Sequence, residues 1–169
     1  MKKPTEKEMI ADPVVAAHAT SLWQQTLALC TETNRHELGC WIQLDTATDT
    51  YCFTATTNGP PTPNEAVSTI NLLPIELDSP WFPKIHHGSA VYTVASLHTH
   101  TPATYITFPK RPVGPSGNDK TASGELRYPG LVFDFDEDPN DPGFIHTGHP
   151  TNAPAHLYPT GECPRRDYQ

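Results

Sequence analysis

The chain has 169 residues and a formal net charge of -8, from 19 acidic and 11 basic residues. This length is enough to bury one hydrophobic core without disulfides or a structural metal, so it predicts a single domain. The acidic balance, with no basic cluster longer than a pair of residues, disfavours nucleic acid and anionic membranes as partners, because both bind basic surfaces.

The sequence contains no run of 18 apolar residues. Met1 is followed by charged and polar residues rather than by the apolar core of a signal peptide. We therefore expect no membrane-spanning helix, and a cytoplasmic protein or one exported without a cleaved signal.

The four cysteines form no CxxC pair, which argues against a cysteine-based zinc site and against a thioredoxin-type redox pair. Two disulfides are one interpretation, and buried free thiols are the one we favour. The residues concerned are Cys30, Cys40, Cys52 and Cys163.

The first predicted element is a helix over residues 13–33. Asp12 is a suitable N-cap, and Pro13 fits the first helical position. Apolar residues then recur at helical spacing. They are Val15, Ala19, Leu22, Trp23, Leu27 and Cys30.

A hairpin with one buried face is predicted next, because apolar residues alternate over residues 38–44 and again over 51–55, on either side of a polar turn. Glu37 lies at the entrance to this hairpin. A proline-rich stretch then runs to residue 88, and for it we expect surface loop with one short helix near residues 64–72.

Residues 89–97 are rich in β-formers and lead directly into His98-Thr99-His100. A proline-rich loop follows, then a short helix from about Ser116 and a strand over residues 131–135. This order of helices and strands predicts an α/β domain with a mixed sheet flanked by helices.

The composition changes after Asp136, so we assign the main folded domain to residues 1–136. Residues 137–169 are rich in proline, glycine and histidine. We expect little regular structure there, in a tail that packs on the same domain or trails from it.

The two histidines at residues 98 and 100 are candidate metal ligands. Residues i and i+2 of a strand project to the same face, so His98 and His100 present two imidazoles that can chelate one zinc ion. The alternative is an exposed pair of histidines with no role.

A third ligand is predicted at the start of the helix that begins near Ser116. Ser116 and Asp119 have the spacing of a capping box, which needs no metal. A carboxylate in a first helical turn can also point back at the end of the preceding strand. Two histidines and an aspartate would then leave a fourth position open, as in catalytic zinc sites.

Hydrolysis at such a site also needs a base that takes a proton from water and returns it to the leaving amine. Glu37 is our candidate, because it precedes a strand that can run beside the strand of the histidines. Its alternative role is a solvated residue in a helix-to-strand linker.

These motifs resemble the JAMM, or MPN-type, zinc metalloproteases, whose pattern is a glutamate at the first strand, then His-x-His, then Ser-x-x-Asp. The matching segments are residues 35–40, 96–102 and 115–119, and the order of elements matches over about residues 13–135. The resemblance implies one cytidine-deaminase-like domain, a mixed sheet with flanking helices.

The resemblance also implies the roles of the site residues. His98, His100 and Asp119 would bind one Zn²⁺, Glu37 would serve as general base and acid, and Ser116 would stabilise the oxyanion. The partner would be a protein or peptide substrate, including ubiquitin-like conjugates. The alternatives are a JAB-like bacterial toxin domain that cleaves another amide, such as a cell-wall peptide, and a catalytically silent binding scaffold.

One departure concerns the loop between the second histidine and the serine, which typically has about seven residues in the family and has fifteen here, residues 101–115. Lengthening the loop in this way costs only about 0.7 kcal/mol of closure entropy. Its apolar residues and the pair Lys110-Arg111 either pack on the domain or form one wall of the substrate cleft, with the basic pair facing an acidic segment. We expect no metal-binding role for the other histidine group, His86, His87, His146, His149 and His156.

Overall fold

The computed structural model describes residues 4–63, 68–72, 84–86, 89–105, 108–126 and 128–161. Its helices are α1 (Glu6–Ala11), α2 (Pro13–Leu29) and α3 (Gly117–Leu126). In these ranges the strands are β1 (Leu38–Asp45), β2 (Thr50–Phe53), β3 (Thr57–Asn58), β4 (Lys84–His86), β5 (Ser89–Thr99), β6 (Lys110–Pro112), β7 (Gly130–Phe135), β8 (Phe144–His146) and β9 (Ala155–Pro159). None of the described helices has the length and apolar character needed to cross a bilayer.

The predicted start of the long helix is confirmed. The carboxylate of Asp12 accepts hydrogen bonds from the backbone N–H groups of Val14 (2.8 Å) and Val15 (3.3 Å), as an N-cap residue does. The helix ends at Leu29 rather than near residue 33. The reason is that Cys30 adopts an extended backbone conformation, which stops the helical hydrogen-bond pattern.

Seven strands form one mixed sheet in the described ranges, in the order β2-β1-β5-β7-β9, with β3 paired to β1 and β4 paired to β5. β5 and β7 run parallel, and the other pairs are antiparallel. A parallel pair needs a crossover connection, and α3 lies in it. The carboxyl ends of β5 and β7 therefore meet at one edge of the sheet. β6 and β8 form a separate two-stranded sheet.

Helix α2 packs on the sheet and holds the histidine-bearing strand in place. Its Trp23 meets Phe135 of β7 edge to face, with 4.9 Å between ring centroids. The buried hydroxyl of Thr26, also on α2, lies 2.6 Å from the hydroxyl of Thr99 on β5. All six residues of β7 are buried, so this strand forms the centre of the core.

Two predictions about irregular regions differ from the structure. Residues 68–72 carry no helix, and residues 64–67 of the predicted short helix lie outside the described residues. The expectation of little regular structure after residue 137 is wrong, because β8 and β9 lie there and β9 pairs with β7 over five positions. The apolar alternation of β9 is short, with only Ala155 and Leu157 packed on the core, and Pro154 and Pro159 lie on either side of them, so the segment resembles a loop in sequence.

The cysteines follow the favoured interpretation where they are described. Cys30 and Cys40 are buried free thiols, and Cys52 is a partly buried free thiol. Burial raises the pKa of the Cys40 thiol to about 12, so this residue is an unreactive part of the core at neutral pH. Cys163 lies outside the described residues.

Candidate metal centre

Two imidazoles meet at the carboxyl end of β5. His98 pairs with Gly39 of β1 on one side and with Val132 of β7 on the other. Just beyond the strand, the backbone N–H of His100 donates a hydrogen bond to the carbonyl of Phe133 (3.1 Å). Because alternate residues share a face, the two rings lie side by side, with centroids 5.5 Å apart.

The first turn of α3 brings a carboxylate to these imidazoles. Ser116 and Asp119 form a reciprocal cap: the Asp119 N–H donates to Ser116 Oγ (3.2 Å), and the Ser116 N–H donates to Asp119 Oδ2 (2.6 Å). The same carboxylate faces β5, with Oδ1 3.3 Å from Nε2 of His98 and Oδ2 3.3 Å from Nε2 of His100. The side chain that caps α3 is therefore also the third candidate metal ligand, and the cap holds it in place.

His98, His100 and Asp119 could hold a metal ion. Their ligand atoms all lie within 4.8 Å of one another, and among the described residues they are the one such group of histidine, cysteine and acidic side chains. Two imidazole nitrogens and a carboxylate oxygen are donors that zinc accepts, and three protein ligands leave a fourth coordination position open. The side chains are largely buried, with 9%, 13% and 19% of their surface exposed, so the three ligand groups keep a small contact with solvent.

The charges at the centre suit a cation. Burial opposes a charge on Asp119, but hydrogen bonds with His100 and His98 hold the pKa of Asp119 below its usual range. Burial also opposes a charge on His100, yet hydrogen bonds with Asp119 and Asp134 raise the pKa of His100 to about 9. At neutral pH this imidazole therefore carries a proton that a divalent cation binding at Nε2 would displace.

Glu37 lies directly before β1, and its side chain is nearly inaccessible to solvent. Burial raises the pKa of Glu37, and the charge of Asp119 adds to this effect, while His98 and His100 oppose it. The carboxyl is thus close enough to the three candidate ligands to interact with their charges. A raised pKa suits a group that must both accept and return a proton near neutral pH.

Asp134 is a site residue that the sequence analysis missed. It is fully buried, and its Oδ2 lies 3.1 Å from Nδ1 of His100. Arg111 donates two hydrogen bonds of 2.7 Å to it, one to each carboxylate oxygen. The backbone N–H of Gly114 donates a further one to Oδ2 (3.0 Å). One signal was available: a buried charge needs partners, and this aspartate lies between Phe133 and Phe135 in an apolar strand.

The long loop does not present its basic pair as a free surface for substrate. Arg111 points inward to Asp134, because that buried carboxylate requires a cation. Lys110 pairs with Asp141 (2.8 Å) and lies 4.1 Å from the centroid of the Phe144 ring. Of the apolar residues in the loop, Phe108 is 61% exposed, and Ile106 lies outside the described residues.

The other histidines have ordinary partners where they are described. His146 lies 3.0 Å from Asp141, and His156 lies 2.5 Å from Asp136. His149 packs edge to face on Phe135. Nothing in the described structure assigns these three histidines to a second metal centre, and the side chains of His86 and His87 lie outside the described residues.

The predicted site residues thus gather around the carboxyl end of β5 and the start of α3. Glu37 interacts with the three candidate ligands through charge, and Ser116 is tied to one of them by hydrogen bonds. No family model, curated protein or solved structure matches this chain. The function is therefore inferred from the site itself.

Proposed function

We propose that this chain is a zinc-dependent hydrolase of peptide or isopeptide bonds, with a JAMM/MPN-like fold and one zinc ion per chain. The observation that carries the proposal is the convergence of two imidazoles from β5 with a carboxylate from the first turn of α3, all within 4.8 Å. Three ligands with an open position are typical of catalytic rather than structural zinc. The ligands are His98, His100 and Asp119.

A bound zinc ion would supply a Lewis acid for the carbonyl and would lower the pKa of a coordinated water. In the proposed reaction Glu37 takes a proton from the attacking water and returns it to the leaving amine. The antiparallel pairing of Gly39 with His98 supports this role, since it puts Glu37, two residues earlier, across from His100, two residues later. Its raised pKa supports the same assignment.

Ser116 has a second role in the proposal. Its Oγ accepts the capping hydrogen bond from Asp119, which leaves the hydroxyl proton available to another acceptor. We assign that proton to the oxyanion that develops on the substrate carbonyl. Ser116 would then both cap α3 and donate a hydrogen bond to the oxyanion.

The substrate proposed for this site is a protein or peptide, including a ubiquitin-like protein linked through an isopeptide bond. The intact ligand set and the buried glutamate favour an enzyme over a silent scaffold of the same architecture. The acidic balance of the chain agrees with a substrate that is not nucleic acid.

Two measurements on the purified protein test the proposal. Metal analysis of protein prepared without chelator should find close to one zinc per chain. The zinc form should cleave at least one member of a panel of amides, made of isopeptide-linked ubiquitin-like conjugates, linear peptides and cell-wall peptides. A wild-type protein that binds no zinc when zinc is supplied would overturn the assignment, and a zinc-loaded protein inactive on every amide would favour the scaffold.

A further inference from the structure

The imidazole of His100 is held from both sides. Its Nε2 lies 3.3 Å from Asp119, one of the candidate ligands. Its Nδ1 lies 3.1 Å from Asp134, which is fully buried behind the ring. The two carboxylates therefore fix the direction in which each ring nitrogen points.

This direction matters for metal binding. A neutral imidazole binds a metal through the nitrogen that has a lone pair, and its other nitrogen then carries the proton. A carboxylate that accepts a hydrogen bond from that second nitrogen fixes the tautomer and the orientation of the ring, and makes it a better donor. His100 has such a carboxylate at Nδ1, so its Nε2 is directed to the centre.

We propose that Asp134 and Arg111 form a positioning pair that presents Nε2 of His100 to the metal. The inference rests on the proposed zinc site and adds residues from β7 and from the long loop. Asp134 accepts from His100, and Arg111 keeps Asp134 charged, oriented and unable to turn toward the metal itself.

The contacts of Arg111 support its proposed role of holding Asp134 in place. It occupies both oxygens of Asp134 with parallel hydrogen bonds of 2.7 Å, an arrangement that the planar guanidinium makes and an ammonium does not. It also donates to the carbonyl of Thr101 (3.2 Å), the residue that follows His100. Near the other end of the loop, the Gly114 N–H reaches the same carboxylate. Two parts of the loop are thus hydrogen-bonded to Asp134.

The pairing of Arg111 with Asp134 also gives the long loop a function. Arg111 lies on β6, which pairs with β8 and lies within the fifteen residues that separate His100 from Ser116. A loop of about seven residues could close with less entropy, but it would carry no strand from which this cation could reach Asp134. The added residues supply the cation.

Matched variants separate this role from general stabilisation. Asp134→Asn and Arg111→Gln remove the proposed pair. Asp136→Asn removes another carboxylate–imidazole contact, the exposed pair with His156, and Lys110→Gln removes another cation on β6, which pairs with Asp141. The controls therefore lose contacts of the same type away from the metal centre.

The first measurement is zinc affinity, by competition with a chromophoric chelator. Asp134→Asn and Arg111→Gln should weaken zinc binding by about 10- to 100-fold. The two controls should stay within about twofold of the wild type, because exposed pairs contribute little. Arg111→Lys keeps the positive charge without the paired hydrogen bonds, so it should fall between the wild type and Arg111→Gln.

The second measurement needs no metal. Nitrogen-15 spectra of the histidine rings in zinc-free protein should show a slowly exchanging Nδ1–H signal from His100, since Asp134 shields it. The signal should persist in Asp136→Asn and exchange faster in Asp134→Asn, because a neutral amide oxygen is a weaker acceptor than a carboxylate. If Asp134→Asn does not fold, Arg111→Lys provides the same comparison, with a weakened signal expected.

Wild-type zinc affinity in Asp134→Asn, or an unchanged His100 ring signal, would overturn the positioning role. A lowered melting temperature with unchanged affinity would show a purely structural pair, which also overturns it. Failure of the wild type to bind zinc would reject the proposed function, whereas the ring signal would still decide how His100 is held. The two failures are therefore distinct.

Discussion

Gly39 and His98 face one another across the antiparallel pair β1–β5, at a distance that leaves no room for a side chain on the glycine. A Cβ at Gly39 would lie 2.6 Å from Cδ2 of Leu72, 2.8 Å from the carbonyl oxygen of Leu97 and 3.1 Å from Cβ of His98. Backbone oxygen cannot move away cheaply. The close approach of the two strands therefore holds the first candidate ligand in place.

Gly39→Ala should separate the strands and destabilise the protein by about 1 to 3 kcal/mol, as overpacking does. It should also weaken zinc binding, because His98 would shift. Gly124→Ala is the matched control: its Cβ would meet nothing within 4 Å on α3, and alanine there should stabilise by up to about 1 kcal/mol. Urea unfolding of both variants is the measurement. Equal stability of the Gly39→Ala and Gly124→Ala variants would show that a Cβ fits between β1 and β5 at residue 39.

Replacing any one of His98, His100 and Asp119 by alanine should remove most of the bound zinc, because two remaining ligands hold the ion poorly. His156→Ala is the control, since this exposed histidine contacts Asp136 and lies outside the candidate group. Elemental analysis after gel filtration measures the effect. Undiminished zinc in all three ligand variants would mean that the metal binds elsewhere.

Glu37→Gln should retain zinc and lower turnover by about 10²- to 10⁴-fold, because the amide cannot accept the proton from water. The shape of the side chain is preserved, so the buried position should stay filled. Glu125→Gln, at an exposed position on α3, should leave turnover unchanged. Metal content and rate are measured on the same preparations, and zinc lost together with activity would identify Glu37 as a ligand instead.

Ser116→Ala separates the cap from the proposed oxyanion contact. Loss of the cap alone should lower the free energy of unfolding by about 1 kcal/mol. Loss of an oxyanion donor should in addition reduce turnover by about 10²- to 10³-fold. Thr5→Ala removes the equivalent capping box of α1, with Glu8 as its partner, and should show the stability effect alone. If the two variants behave alike in both assays, Ser116 is only a cap.

The grouping of the three candidate ligands could be predicted from sequence because the placement of each depends on local structure. The spacing of His98 and His100 places both on one face of any strand, whatever that strand pairs with. The spacing of Ser116 and Asp119 fixes a first helical turn by the geometry of the capping box. Short-range rules are enough for such residues.

The groups behind the donors could not be predicted, because they depend on long-range pairing. The charge of Asp134 signals a buried cation, but the sequence does not say which of the basic residues provides it. Arg111 does so from 23 residues earlier, through β6, a strand of three residues. Strand β9 was missed for a similar reason: its apolar pattern is only two residues, Ala155 and Leu157, and its pairing with β7 is what makes it a strand.

Zinc-free protein should lose stability as the pH rises from about 6.5 to about 9. Burial alone would lower the pKa of His100, but hydrogen bonds with Asp119 and Asp134 raise it to about 9, above the ordinary value of 6.5 that applies in the unfolded chain. The folded state therefore holds this proton more tightly than the unfolded state does. Its contribution is fully present below pH 6.5 and is lost as the pH passes through 9.

The difference between the pKa of His100 in the folded chain and its ordinary value corresponds to roughly 3 kcal/mol of the free energy of unfolding. His100→Gln should remove this part of the pH dependence, and His156→Gln should keep it. The same proton must leave when zinc binds, so zinc affinity should rise with pH over the same window. Urea unfolding between pH 6 and pH 9.5, with and without saturating zinc, measures both effects. A stability profile that is the same in the wild type and in His100→Gln would show that this imidazole is not held by the two carboxylates.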